Sequence, residues 1–222
     1  MGRPHSTLKH LQQQQIGAAP IHIDNRFRAL LGKEEWEVLP PAVRKRFSKK
    51  LSAGATAVYA GEVRQFRISR LGRVLSHALR IIGAPLPHFD HVNVPTVVTV
   101  TEDVKTGGQI WTRTYANRRG FPQVIHSAKR FSGPTGLEEH VGFGVSMLLK
   151  VSASDRGITF RSTGYQVKVG PLRLPLPGFL SPGSVTVTHM ATGSNRFNFE
   201  MTLHHPWAGE LIHQSAEYGD VV

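Results

Sequence analysis

Val94-Pro95-Thr96-Val97-Val98-Thr99-Val100 sets the pattern on which the fold is read. Val94, Thr96, Val98 and Val100 alternate with their neighbours, the two-residue period of a strand with one covered and one wet face. The period returns at Phe143, Val145, Met147, Leu149 and Val151, again at Val185, Val187, His189 and Ala191, and at Phe197, Phe199, Met201 and Leu203. Turn signals separate these runs: Gly107-Gly108, Ser154-Asp155-Arg156-Gly157 and Gly193-Ser194-Asn195. Connections this short join neighbouring strands antiparallel. The pattern predicts strands over residues 94–103, 109–117, 122–131, 143–153, 158–169, 184–192, 196–204 and 209–218. A long strand over 55–69, bulged at Gly61, precedes them. The fold class is α+β, mainly β: a large curved antiparallel meander or open barrel of about 8–10 strands, with N-terminal helices and one capping amphipathic helix.

Outward from this ladder the punctuation changes. A short helix is expected from Asp24 or Asn25 as N-cap, with Phe27, Leu30 and Leu31 on one side and Gly32 at its end. A second begins near Pro40-Pro41, with Val43, Phe47 and Leu51 four apart on one face. Leu71, Val74, Leu75, Ala78, Leu79 and Ile82 form the stripe of a third, which Gly83 and Pro85 stop. Arg73, His77 and Arg80 lie outside that stripe. Such a helix suits a membrane surface or the apolar face of a sheet, and the uncovered ladder favours the sheet. The stretch 170–183 holds four prolines among Leu172, Leu174, Leu176, Phe179 and Leu180. Its prolines break regular pairing, and its leucines predict packing across the sheet or at a cavity entrance. Residues 1–20, with Gln12 to Gln15 and no apolar periodicity, are expected to be a disordered tail before a single domain over 21–222.

Cysteine is absent, which excludes a disulfide scaffold, a thiolate zinc site and a thiol nucleophile. No apolar run reaches the roughly 20 residues of a membrane span, and residues 1–20 have no apolar signal core. A cytoplasmic protein without a transmembrane segment is expected. The net charge is +12, and residues 1–80 alone carry 15 Lys/Arg against 5 Asp/Glu. A basic lead-in of this kind fits nucleic acid or an anionic membrane surface, or simply a solvated helix face.

Leu30-Leu31-Gly32 followed by Leu39-Pro40-Pro41, Trp111-x-Arg113-x-Tyr115, and Gly170-Pro171-x-x-Leu174-Pro175 carry a resemblance, joined by Phe197-x-Phe199 and Gly209-x-Leu211. Over residues 26–216 the chain resembles a bacterial family catalogued only as a domain of unknown function. The family occurs alone or C-terminal to saccharopine-dehydrogenase-like NAD(P)-binding domains. The resemblance implies an association with reductase chemistry, and a reductase as partner, without giving any residue a catalytic role. The chain has no G-x-G-x-x-G fingerprint of its own, so no cofactor is expected.

Trp111, Arg113 and Tyr115 alternate onto one face of one strand. An arginine between two aromatics is an anion site if that face lines a cavity, and a stacked outer-wall ladder if it does not. His189 shares the inward phase of Val185 and Val187. In Glu138-Glu139-His140 at most two side chains converge, because neighbours on a strand point apart, and Glu139 is the candidate. His88-Phe89-Asp90-His91 and His204-His205 lack the spacing of a recognised metal site. No nucleophile elbow, P-loop or His-Glu-x-x-His occurs. Three functions follow in order: a module binding a small apolar or amphipathic ligand, anionic where Arg113 meets it; a cofactor-free isomerase or cyclase on the same cavity; and a basic surface for membrane or nucleic acid. The last ranks lowest, since no nucleic-acid motif is present and no specific nucleic acid is expected.

Overall fold

A computed structural model describes residues 23–221 apart from 52–53, 82, 84–85, 90–91 and 118–119. The expected tail at 1–20 lies outside the described residues, as do Ile82, Pro85, Asp90 and His91. Eleven strands are formed: β1 (Thr56–Ile68), β2 (Val94–Asp103), β3 (Gly108–Tyr115), β4 (Gln123–Arg130), β5 (Glu138–Gly142), β6 (Val145–Ala153), β7 (Gly157–Val169), β8 (Leu172–Pro175), β9 (Ser184–Ala191), β10 (Arg196–His205) and β11 (Gly209–Asp220). Among the described residues three helices accompany them: α1 (Arg26–Val38), α2 (Pro41–Phe47) and α3 (Arg70–Ile81).

The alternation closes on itself. Every pairing is antiparallel, and β1 meets β11 from Tyr59 opposite Asp220 to Ile68 opposite Ile212. With β6 on one flank of β7 and β9 on the other, ten strands form a closed up-and-down barrel. β8 is an extra strand, paired with the far half of β7. Closure removes the exposed edges that an open meander leaves.

Four local expectations are corrected. The charged run Glu138-Glu139-His140 is a strand in its own right, β5, and not an approach to the next one. The proline-rich stretch keeps pairing through β8, because a strand at the margin of a sheet tolerates residues without an amide donor. The β1 irregularity falls at Arg64, between Val63 and Gln65. Gly61 instead permits close approach, since a Cβ there would overlap the Glu217 carbonyl. Finally, α1 continues past Gly32, which kinks it at φ 78° and lets Trp36 be buried on the second half.

Up-and-down topology sends alternate connections to the same end. At one end α1 and α2 form a plug. Phe27, Leu39, Val43 and Phe47 are buried against Leu149, Ile158 and Phe160, each contributing about 1.5–3 kcal/mol of apolar transfer. Arg46 ties the plug down through Nε to Asp220 Oδ1 at 2.9 Å, and Glu35 accepts the Ala153 amide at 3.1 Å. The opposite end, here the rim, carries α3 and the connections β3–β4, β5–β6, β7–β9 and β10–β11. α3 docks at the rim by Gly72 and Ser76, both buried, and a Cβ on Gly72 would overlap the Leu211 carbonyl. Its apolar stripe covers the sheet only in part: Leu75 and Leu79 are half-buried, while Leu71 and Val74 face solvent.

Candidate functional site

Inward-facing side chains leave two chambers inside the barrel. The plug-side chamber, of about 50 Å³, is lined among others by Phe47, Tyr59, Val98, Trp111, His189 and Phe197. The rim-side chamber, of about 290 Å³, is lined largely by apolar groups such as Leu79, Ile125, Val141, Met147, Leu176 and Met201. Arg113, Val187 and Phe199 line both and form the waist between them. The smaller space suits one or two waters, at about 30 Å³ each in the liquid. The larger lies near the lower end of the roughly 300–1,000 Å³ of small-molecule sites.

One wall at the waist is polar, and strand register explains why. β3, β4 and β5 lie side by side, with Trp111 opposite Ser127 and Lys129 opposite Glu139. Lys129 donates from Nζ to Glu139 Oε2 at 2.8 Å. Ser127 donates to Glu139 Oε1 at 2.6 Å and accepts from Arg113 Nη1 at 3.1 Å. Arg113 Nη2 stands 3.6 Å from the same Glu139 oxygen, beyond a good hydrogen bond. Aromatic faces surround the cations: Lys129 Nζ is 4.9 Å from the Trp111 ring centre, and Arg113 Cζ is 5.9 Å from those of Trp111 and Phe199.

Burial and the neighbouring charges pull on the titration of this wall in opposite directions. Burial pushes the Glu139 carboxyl up, but Lys129 and Arg113 outweigh it and bring it down to about 2. Burial draws Lys129 below the ordinary ammonium value, with Glu139 pulling the other way and Arg113 adding to the fall. Two basic side chains thus share one carboxylate within a water-poor wall.

Trp111, Arg113, Tyr115, Glu139 and His189 all line these chambers. Trp111, Arg113 and Glu139 converge on the polar wall. Tyr115 is buried on the rim side, where its hydroxyl accepts from Gln214 Nε2 at 3.3 Å and burial raises its pKa. His189 stands apart on β9, stacked on Phe197 at 4.1 Å and edge-on to Phe47 at 5.3 Å. Burial, with Arg46 nearby, lowers its pKa to about 3, so the ring is neutral. Glu138 and His140 point to the outer wall, where Glu138 Oε1 meets Arg173 Nη1 at 2.7 Å.

Lys129, Ser127 and Gln214 escaped the sequence reading. Ile125, Ser127 and Lys129 share one strand phase, and this was the signal that could have placed Lys129 inside. Gln214, fully buried, offered none. Among the described residues no three His, Cys, Asp or Glu side chains converge as metal ligands. No helix among them is long and apolar enough to cross a membrane.

No curated protein and no solved structure shows significant similarity to the chain. One family model does match, over residues 39–218, from Leu39 just before α2 to Tyr218 of β11, and so takes in the ring of strands and every wall residue described above. The chain therefore belongs to the family described as a domain of unknown function (DUF4166).

Proposed function

We propose that the barrel holds one small amphipathic molecule, with an anionic group against Arg113 and Lys129 and its apolar part in the rim-side chamber. The observation that carries this reading is the uneven make-up of the waist: two basic groups, Lys129 buried and Arg113 partly buried, to one buried carboxylate. A ligand carboxylate or phosphate would neutralise the excess where the dielectric is low, and the loosely held side of the Arg113 fork suits bidentate capture. Ten-strand barrels have interior room for one such ligand.

Titration calorimetry with decanoate and with methyl decanoate tests this directly. Decanoate should bind, and the ester should bind at least tenfold more weakly. Equal binding of the two, or no binding of either, overturns the anionic reading. Native mass spectrometry of the purified protein then gives the mass of any molecule it retains.

A second reading is favoured by the lowered pKa of Lys129 beside Glu139: an isomerase- or cyclase-type enzyme moving a proton within the same chamber. A retained molecule that returns with unchanged mass and chromatographic mobility supports the binding module; an isomer supports the enzyme. An accessory role beside an NAD(P)-dependent reductase is a finer form of the first reading, in which the barrel presents an apolar substrate to a redox partner. Reductase turnover measured with and without the barrel tests it.

A further inference from the structure

The exposed aromatic side chains of the described residues are Phe121, Phe143, Phe179 and Trp207, at 93%, 77%, 72% and 82% exposure. They occupy four separate connections: β3–β4, β5–β6, β7–β9 and β10–β11. All four connections leave the barrel at the rim, and none of these residues lies at the plugged end. The fifth rim connection, β1–β2, contains α3, which presents Leu71, Val74 and Ile81 to solvent. Every connection at the rim therefore ends in an uncovered apolar group, spaced around the mouth of the larger chamber.

Phe143 adds an independent sign of purpose. It sits between Gly142 and Gly144 with φ 36°, a conformation that costs a bulky side chain energy and that asparagine or glycine would adopt more readily. Stability does little to explain a phenylalanine there, because its ring rests against Gly83 and is otherwise exposed.

Charge at the rim is one-sided. Among the described residues the connections 69–93, 116–122, 143–144, 170–183 and 206–208 hold four Lys/Arg, namely Arg70, Arg73, Arg80 and Arg173, and no Asp/Glu; Arg173 is paired with Glu138. Aromatic tips that share a rim with the arginines of α3 match the boundary between headgroups and acyl chains, where an amphipathic ring keeps its apolar body in lipid.

We infer that the rim is a docking surface for an anionic lipid bilayer, seated so that the mouth of the larger chamber opens onto the membrane interface. Docking rests on the crown alone. Its use, loading of the chamber from the bilayer, rests on the ligand reading above.

Flotation with vesicles of phosphatidylcholine and phosphatidylglycerol, at a 7:3 ratio, tests the docking. The wild-type chain should float with these vesicles, and much less with pure phosphatidylcholine or at high salt. Phe143→Asn and Trp207→Ser should each lower the bound fraction about tenfold, the order expected for withdrawing one aromatic from an apolar phase. Val104→Ser, at an equally exposed position of the plugged end, should leave it unchanged. Because Phe143→Asn relieves the backbone, its melting temperature should not fall, so loss of flotation there is not loss of fold. Decanoate titration without vesicles separates the two readings. Crown variants that lose flotation but keep decanoate binding support docking, and flotation without decanoate binding leaves docking standing while the ligand reading falls. Wild-type protein that binds neither vesicle type, crown variants that float as well as wild type, or light scattering that shows the crown buried in a self-associated dimer would each overturn it.

Discussion

Lys129 and Glu139 stand directly opposite one another on β4 and β5, Nζ to Oε2 at 2.8 Å, and both side chains are buried within the barrel wall. Arg113 is the third member, coupled to Glu139 mainly through Ser127. The carboxylate is therefore the hinge of the cluster, and the two cations are not equivalent.

Removing that carboxylate strands both cations. Glu139→Gln should cost about 3–5 kcal/mol, the usual loss when one partner of a buried pair is deleted. Lys129→Met leaves Glu139 with Arg113 and Ser127 and should cost markedly less. Urea denaturation with unchanged m-values would measure the difference. Equal losses would mean that Arg113 cannot take over the carboxylate.

For the ligand reading, Arg113→Ala should weaken decanoate binding by about 1.5–3 kcal/mol, the range for hydrogen bonds to a charged group. Arg113→Lys should restore only part, because an ammonium cannot reproduce the planar fork. Calorimetry reads both. Unchanged affinity in the two variants would move the anion contact away from this residue.

His189 gives the stability a pH dependence. Its folded pKa is about 3 against an ordinary 6.5, because burial disfavours the charged ring. Above pH 6.5 the ring is neutral in both states and its contribution is intact. As pH falls from 6.5 towards 3 only the unfolded chain takes up the proton, and stability declines by at most about 1.4 kcal/mol per pH unit. Glu139 extends the decline from its ordinary value of 4.5 down to about 2. His189→Leu should flatten the upper part of this curve, between pH 6.5 and 5, in denaturation series at fixed ionic strength. A wild-type curve already flat there would place the imidazole in contact with water.

At the rim, Gly72→Ala sets a Cβ against the Leu211 carbonyl. Helix propensity favours alanine by about 1 kcal/mol, yet overpacking should outweigh it and leave a net loss of about 1–3 kcal/mol. A lowered melting temperature, with α3 amides exchanging faster, is the expected readout. A stabilised variant would mean that α3 rides free of β11.

The strands were legible because the barrel has a dry inside and a wet outside, so alternation survives in nearly every wall segment. It fails where the inside is itself polar. Glu138-Glu139-His140 carries charge on both faces, and nothing local reveals that Glu139 is paid for by Lys129 on the next strand. β8 is solvent-exposed along its length and has no face to betray it. Period alone showed that Trp111, Arg113 and Tyr115 share one face and that His189 points inward, but not that the Trp111 face is the inner one. Lys129 shared that phase with Ile125, but a lysine is discounted as an interior residue unless its partner is known. α1 beyond Gly32 was lost for another reason: Glu34, Glu35 and Glu37 surround Trp36, whose covering surface comes from distant strands.

Closure by pairing the first strand with the last has a consequence for how this chain comes into being. Adjacent hairpins such as β2–β3 and β6–β7 involve only nearby residues and can form early, in about 1–10 μs each. The seam at Tyr59 and Asp220 must wait until β11 has left the ribosome. Until then β1 and β10 each present a bare row of amides and carbonyls, the kind of margin on which neighbouring nascent chains associate. Truncation before β11 should therefore yield aggregates and not a slightly smaller barrel, and β11 acts as the latch of the whole fold.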